Sequence, residues 1–507
     1  MYQKNFAVKQ NSLSKNAFYN FLGFSIPLIF AVSLVPFIIE KLGVEKFGIL
    51  SFCWLIIGYF GFFDLGIGRA LTRIVSEKIG QKKDFEIPSF FWTSFYLTAL
   101  FSLIISLILF LSSDTLILYF LKIPSTLTEE TILTIKFLIL AIPVITTTAS
   151  MKGFLEAYSR FDIVNFLRLI LGVSSFLIPL ILLFWTTYLY WIIIAMICVR
   201  VFIWCLYLYF TLKTNSDLKK EFKFHYQLIK PIFHLSSWMT VSNIAVPLIV
   251  YIDRIMIASL VSTTAVAYYA TPYEVITKLL IFPSALTAVL FPTFAANYLS
   301  NPERIVKLLN KAMKYIFILL LPITLIVVFF SNELLSIWLG KEFASKSFFI
   351  LQFLSIGILF NSIAFIPFSF IEGIGRPDVT AKIQLIELPI YVFLMWLVVK
   401  NFGTSGAAVL FMSRMIIDCI LMIYFSQRLS GSKAVFRIKC SSASIFFFSL
   451  IVIIAIINST LWIKILSIII IISSFLFITW KFLLDFEDRI LIKENLLPLI
   501  GKKSYLK

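Results

Sequence analysis

The apolar positions of this chain come in runs of 18 residues or more, separated by short clusters of Lys, Arg, Asp and Glu. A run of that length crosses a hydrocarbon core about 30 Å thick as a helix. Fourteen such runs are legible, starting near Ala17, Phe47, Pro88, Thr131, Ile163, Tyr188, Leu235, Val266, Lys314, Ser347, Thr380, Gly403, Ser442 and Leu461. Proline interrupts many of them, at Pro27, Pro36, Pro143, Pro179, Pro247, Pro283 and Pro292. Membrane helices tolerate this because neighbouring helices re-satisfy the freed carbonyls. The pattern predicts an all-α polytopic membrane protein of about 14 transmembrane helices.

The composition agrees. Of 507 residues, 60% are hydrophobic and 14% charged, where a soluble domain carries about 25% charged residues. The polar clusters are also placed unevenly. With the N-terminus inside, the inside loops and tails hold 31 of the 44 Lys and Arg, and the opposite loops hold seven. That asymmetry puts both termini on the cytoplasmic side. The net charge of +18 is mostly this bias. It reads as topology and contact with anionic membrane lipids, not as nucleic-acid binding.

Other chemistry is thin. The five cysteines (Cys53, Cys198, Cys205, Cys419, Cys440) lie in or beside apolar runs without a C-x-x-C pair, and His225 and His234 have no ligand spacing around them. No metal or cofactor is expected. Lys4, Lys9 and Lys15 precede an apolar stretch lacking a cleavage pattern, so that stretch is expected to remain as the first span. The longest outward loop runs roughly from Ser113 to Glu130. A membrane polymerase or ligase acting on the outer face would want a larger one.

One polar cluster occurs twice. FLEAYSRFDIVNFLRLI at 154–170 matches FIEGIGRPDVTAKIQLI at 370–386, so that Glu156, Arg160 and Asp162 pair with Glu372, Arg376 and Asp378 at an offset of 216 residues. A weaker match pairs SIPLIF around Pro27 with AVPLIV around Pro247. The stretch joins helices four and five, and its copy joins helices ten and eleven. An even offset of six helices gives two parallel six-helix lobes related by a pseudo-twofold axis along the membrane normal. The expected division is an N-lobe at 1–212, a cytoplasmic linker at 213–234, a C-lobe at 235–428, and two extra helices with a tail at 429–507. Glu156 and Arg160, four residues apart, are expected to pair, and both copies read as structural hairpins.

With this design, the second-span stretch KFGILSFCWLIIGYFGFFDLGIGRALTR, the helix-seven stretch SSWMTVSNIAVPLIVYIDRIMIASL and ALTAVLFPTFA in helix eight resemble the polysaccharide transporter (Wzx-type) family of the multidrug/oligosaccharidyl-lipid/polysaccharide superfamily. The resemblance covers about residues 15 to 480. It implies a secondary transporter, not an enzyme, in a bacterial inner membrane. Such a flippase moves undecaprenyl-pyrophosphate-linked oligosaccharide from the inner to the outer leaflet during O-antigen, capsule or similar surface polysaccharide synthesis. Polymerase and chain-length proteins are the implied partners. A lipid II flippase and a cation-coupled multidrug exporter of the same superfamily are the alternatives.

Such a cargo needs cations for its pyrophosphate. Six Lys and Arg fall within spans: Lys136, Arg168, Arg200, Arg254, Lys278 and Arg414. A charge at a helix centre costs about 2.5 to 3.5 kcal/mol on insertion scales, so each needs a reason. Lys136 and Arg168 lie near span ends, where snorkelling suffices. The pairs Glu274–Lys278 and Arg414–Asp418 are spaced i, i+4 and read equally well as staples. Arg254, Lys278, Arg414 and Arg200 are the candidate cavity cations, Arg254 foremost because its fork suits phosphate oxygens. Arg200 has Trp204 as a π partner, and Arg254 need not pair with the adjacent Asp253. No G-x-x-x-x-G-K-[ST] occurs, which points to a proton or sodium gradient as the energy source. Asp253, Glu274, Asp418 and Glu387 are the candidate coupling carboxylates. Asp64, five residues before Arg69, reads as a gating or helix-end group, like Glu156, Arg160, Glu372 and Arg376 in the hairpins. Tyr268, Tyr269 and Tyr273 read as an interfacial aromatic belt.

Overall fold

The computed structural model describes residues 10–59, 64–120, 127–431 and 461–483. The span expected from Ser442, together with Lys4, Lys9 and the tail beyond residue 483, lies outside them. Among the described residues every regular element is helical. The helices are α1 (Gln10–Leu42), α2 (Val44–Tyr59), α3 (Ile67–Gly80), α4 (Ile87–Phe120), α5 (Thr128–Leu140) and α6 (Ile142–Ala157). Then follow α7 (Phe161–Leu182), α8 (Leu189–Thr214), α9 (Ile229–Leu260), α10 (Thr263–Ile276) and α11 (Ile281–Asn297). The chain continues through α12 (Pro302–Phe329), α13 (Ser331–Leu339), α14 (Lys341–Gly373), α15 (Pro377–Ser430) and α16 (Leu461–Ile478).

Eleven helical segments among the described residues are long and apolar enough to cross a membrane. One of them, α15, has 54 residues and breaks at Gly403, whose φ of 61° and ψ of −147° only glycine adopts readily. It therefore supplies two spans. The 16-residue α2 is a further, shorter apolar helix on the run expected near Phe47. Thirteen of the fourteen expected spans thus fall on described helices.

The chain forms two compact units. The first comprises Met1–Tyr251, Ile281–Ile305 and Phe368–Ile390. Lipid is as apolar as leucine, so its helices associate by close packing and polar contacts more than by hydrophobic drive. The contacts bear this out. A Cβ added to Gly153 on α6 would stand 2.5 Å from the Gly68 carbonyl oxygen on α3, and one added to Gly172 on α7 would overlap Pro27 on α1. Asn165 Nδ2 donates to Asn20 Oδ1 at 2.8 Å, and Asn20 Nδ2 donates to the Ala285 carbonyl of α11 at 3.3 Å. Around these joints Leu71, Val75, Phe91, Phe154 and Leu167 are fully buried in one apolar cluster.

The repeated hairpin is built twice in the same way. In the first copy Arg160 Nε and Nη2 donate to Asp162 Oδ1 and Oδ2 at 3.1 and 3.0 Å. In the second, Arg376 Nε and Nη2 donate to Asp378 Oδ1 and Oδ2 at 2.9 and 3.1 Å. That fork raises the Arg376 pKa above its ordinary value. Each preceding helix closes on a left-handed residue, Ser159 (φ 58°) or Gly375 (φ 87°). The expected Glu156–Arg160 pair is replaced. Arg160 lies beyond that left-handed turn, off the α6 helix, so it folds forward onto Asp162. Glu156 meets Lys152 (3.7 Å) and Arg168 (3.8 Å).

The second unit comprises Ile252–Leu280, Val306–Pro367 and Tyr391–Lys507. Gly357 on α14 lets the Phe411 ring of α15 approach, where a Cβ would stand 2.8 Å from it. Gln352 Nε2 donates to the Val328 carbonyl at 3.1 Å, tying α14 to α12. Lys464 Nζ meets Glu333 Oε1 at 2.8 Å, so α16 is fastened to α13 by one ion pair.

Candidate functional site

Within the second unit, segments of three helices converge on Asp253. This residue lies in α9, is 1% exposed, and has both carboxylate oxygens occupied. Tyr269 Oη of α10 donates to Oδ2 at 2.7 Å, and Tyr391 Oη of α15 donates to Oδ1 at 2.8 Å. A buried charge is tolerated only when paired and hydrogen-bonded, and two phenols answer half of that demand. Arg254 and Arg414 answer the rest, since the charges of both act on Asp253.

The two guanidiniums are held over aromatic faces. Arg414 stands 5.0 Å from the centroid of Tyr391 and Arg254 stands 5.1 Å from that of Tyr273. Rings at that distance attract a cation, more strongly when water is scarce. Tyr273 itself stacks near Tyr269 and meets Phe411 edge-on, with centroids 6.3 and 5.6 Å apart. Arg254 Nη2 also meets Glu274 Oε1 at 2.7 Å. Lys278 reaches the other oxygen of Glu274 at 3.8 Å, with both side chains 55% exposed.

The backbone explains the placement. Proline at 283 has no N–H for the carbonyl of Leu279, so the span is interrupted. Residues Thr277–Leu280 tighten into a 3-10 turn that carries Lys278 between α10 and α11. The Gly403 break likewise separates the part of α15 bearing Tyr391 from the part bearing Arg414.

The structure therefore brings together Asp253, Arg254, Arg414, Glu274 and Lys278. Asp418 lies one turn beyond Arg414 and is half-buried, and Glu387 and Arg200 belong to the first unit. Trp204, one turn from Arg200, donates its indole N–H to Thr147 Oγ1 at 2.9 Å. Two expectations are revised. Tyr269 and Tyr273 are buried in the cluster and are no interfacial belt; only Tyr268, against Lys346 at 3.2 Å, is partly exposed. Arg168 does not snorkel: its guanidinium donates to Asn165 Oδ1 at 2.9 Å and lies 4.4 Å from the Phe24 ring. Lys136 pairs with Asp114 at 2.7 Å.

At the loop-rich end of the first unit, Asp64 Oδ1 accepts the Gly66 N–H at 2.8 Å and shapes the turn into α3. Two residues were invisible as site groups in the sequence, where they counted only as loop cations. Arg69 meets Glu372 Oε2 at 3.1 Å, and Lys152 meets Glu156. Tyr391 was missed as well, because a bond spanning 138 residues leaves no spacing to read.

The fold is that of transporters of the MOP superfamily. An outward-facing multidrug transporter of the MATE family superposes with a TM-score of 0.74 at 12% identity, covering 83% of this chain and 95% of that one. The profile of the polysaccharide biosynthesis protein family matches residues 42–347. A Shigella flexneri protein whose name assigns it provisionally to O-antigen transport is 32% identical over 419 residues, 82% of this chain and 98% of that one. A Haloferax volcanii protein, named again provisionally as the low-salt glycan biosynthesis flippase Agl15, is 23% identical over 198 residues, 39% of this chain and 41% of that one. The chain belongs to the polysaccharide biosynthesis protein family.

Proposed function

We propose that this protein is a flippase for undecaprenyl-pyrophosphate-linked oligosaccharide units, carrying them from the cytoplasmic to the outer leaflet of a bacterial inner membrane. Family membership supports polysaccharide export as the task. The observation that carries the cargo is the pair Arg254 and Arg414, two guanidiniums held inside span-forming helices beside one carboxylate. An intramembrane cation is costly unless it serves a pathway, and forked donors suit phosphate oxygens. In this reading the lobes at 1–212 and 235–428 rock about their shared axis, with both termini cytoplasmic. Asp253 takes up and releases the coupling proton or sodium ion, and Glu274 shields Arg254 between cargoes.

The test is complementation. A host deleted for this gene should lose its surface polysaccharide, regain it with the wild-type chain, and fail to regain it with Arg254→Ala or Arg414→Ala present at normal membrane levels. Full restoration by both variants would remove the pyrophosphate assignment. In proteoliposomes, transport that continues unchanged after proton and sodium gradients are collapsed would remove the coupling assignment.

A further inference from the structure

Glu156 and Glu372 hold the same position in the two copies of the repeat, yet they are partnered differently. Glu156 is held by Lys152 and Arg168 of its own copy. The residues 216 positions on are Phe368 and Gln384, so the second copy lacks both cations. Glu372 is nonetheless fully buried, and neither carboxylate oxygen accepts a hydrogen bond among the described residues. Its ion-pair partner comes from the first repeat: Arg69 Nη2 at 3.1 Å. The Arg69 guanidinium lies 5.2 Å from the Phe291 ring and 5.7 Å from the Phe368 ring, which stands where Lys152 stands in the other copy.

The pair is lopsided. The Arg69 side chain is 40% exposed while that of Glu372 is 1% exposed. An anion can therefore reach Arg69 without first uncovering Glu372. The charges of Glu156, Arg168, Asp64 and Arg69 also act on Lys152, so a second cation lies within electrostatic range of the first. The α3 face that bears Arg69 continues to Arg73, against Gly375, and to Gly80, against Ala296. Both of those contacts are with second-repeat segments. Losing the ion pair therefore loosens a whole helix face, because a buried carboxylate stripped of its partner is strongly unfavourable.

We propose that Arg69–Glu372 is a latch between the two repeats, and that it releases when Arg69 exchanges Glu372 for the phosphate oxygens of the cargo headgroup. The exchange rests on the flippase reading; the latch itself does not.

The test uses Ser76→Cys as reporter, because Ser76 lies on the same α3 face and is 1% exposed. The five native cysteines are replaced by alanine, and labelling by a membrane-impermeant maleimide is followed in vesicles of both orientations. Glu372→Gln and Arg69→Ala should each speed labelling several-fold, and the exchanged pair Arg69→Glu with Glu372→Arg should restore slow labelling. Phe368→Lys, which returns to Glu372 a cation of its own copy, should also speed labelling although no charge is lost. Inorganic pyrophosphate should speed labelling of the parent but not of the exchanged pair, with sulfate at equal ionic strength as control. Glu372→Gln labelling no faster than the parent overturns the latch, and a parent indifferent to pyrophosphate overturns the exchange. Neither outcome depends on transport, so failure of the flippase proposal would register separately in the complementation assay.

Discussion

Tyr391 donates its phenol to Asp253 Oδ1 at 2.8 Å, joining α15 to α9 across 138 residues of sequence. Since Asp253 is 1% exposed, the oxygen has no water to fall back on. Tyr391→Phe should therefore lower stability by about 1–3 kcal/mol, the cost of stranding a buried acceptor. Tyr273→Phe keeps the ring face under Arg254 and should cost less than Tyr391→Phe. Thermal unfolding of the detergent-solubilised variants compares the two directly.

Arg254 and Glu274 meet at 2.7 Å, and their functional expectations oppose each other. A hydrogen bond to a charged partner is worth about 1.5–3 kcal/mol, so Arg254→Ala should cut transport by about ten- to a hundredfold. Arg254→Lys keeps the charge but not the fork and should fall between. Glu274→Gln removes the carboxylate that shields Arg254 and should tighten the apparent affinity for cargo while slowing release. Initial rates against substrate concentration in proteoliposomes separate these effects.

Much of the fold was legible in the sequence because lipid imposes long apolar runs, and the runs near Ala17 through Gly403 fall on described helices. The hairpins were legible because Glu156, Arg160 and Asp162 are scarce residue types recurring at one spacing. What lies between helices was not. Asp253, Arg254 and Arg414 stood out as charges in apolar runs, but Tyr269 and Tyr391 are ordinary membrane-helix residues until the packing turns their hydroxyls toward a carboxylate. Arg69 was hidden for a different reason. It sits where a topology count expects a loop cation, and nothing near it in sequence announces Glu372. The Glu156–Arg160 expectation failed because helical spacing no longer applies once Ser159 turns left-handed.

That left-handed turn yields a paired prediction. Ser159 adopts φ 58° and Gly375 adopts φ 87° at equivalent places. A side chain in this region costs roughly 1–2 kcal/mol, which glycine avoids. Ser159→Gly should therefore stabilise the first hairpin by up to about 1 kcal/mol, net of the backbone entropy glycine loses. Gly375→Ala should destabilise the second by at least about 1–2 kcal/mol, because the new Cβ would also overlap the Arg73 guanidinium. Opposite shifts in unfolding temperature would establish that the two turns are the same device.

Close approach between α3 and α6 is the last feature with a measurable consequence. A Cβ at Gly153 would stand 2.5 Å from both the Gly68 carbonyl oxygen and Thr72 Oγ1. Thr72 Oγ1 already donates to that carbonyl at 3.0 Å, so the space is fully committed. Gly153→Leu should cost about 1–3 kcal/mol by overpacking, or more if the helices separate. Separation would carry Arg69 on α3 away from Lys152 on α6, disrupting the cation cluster without changing a charge. The variant should thus speed labelling of Ser76→Cys as Glu372→Gln does, while Gly172→Leu, which wedges α7 from Pro27 on α1, should destabilise the protein and leave the reporter slow.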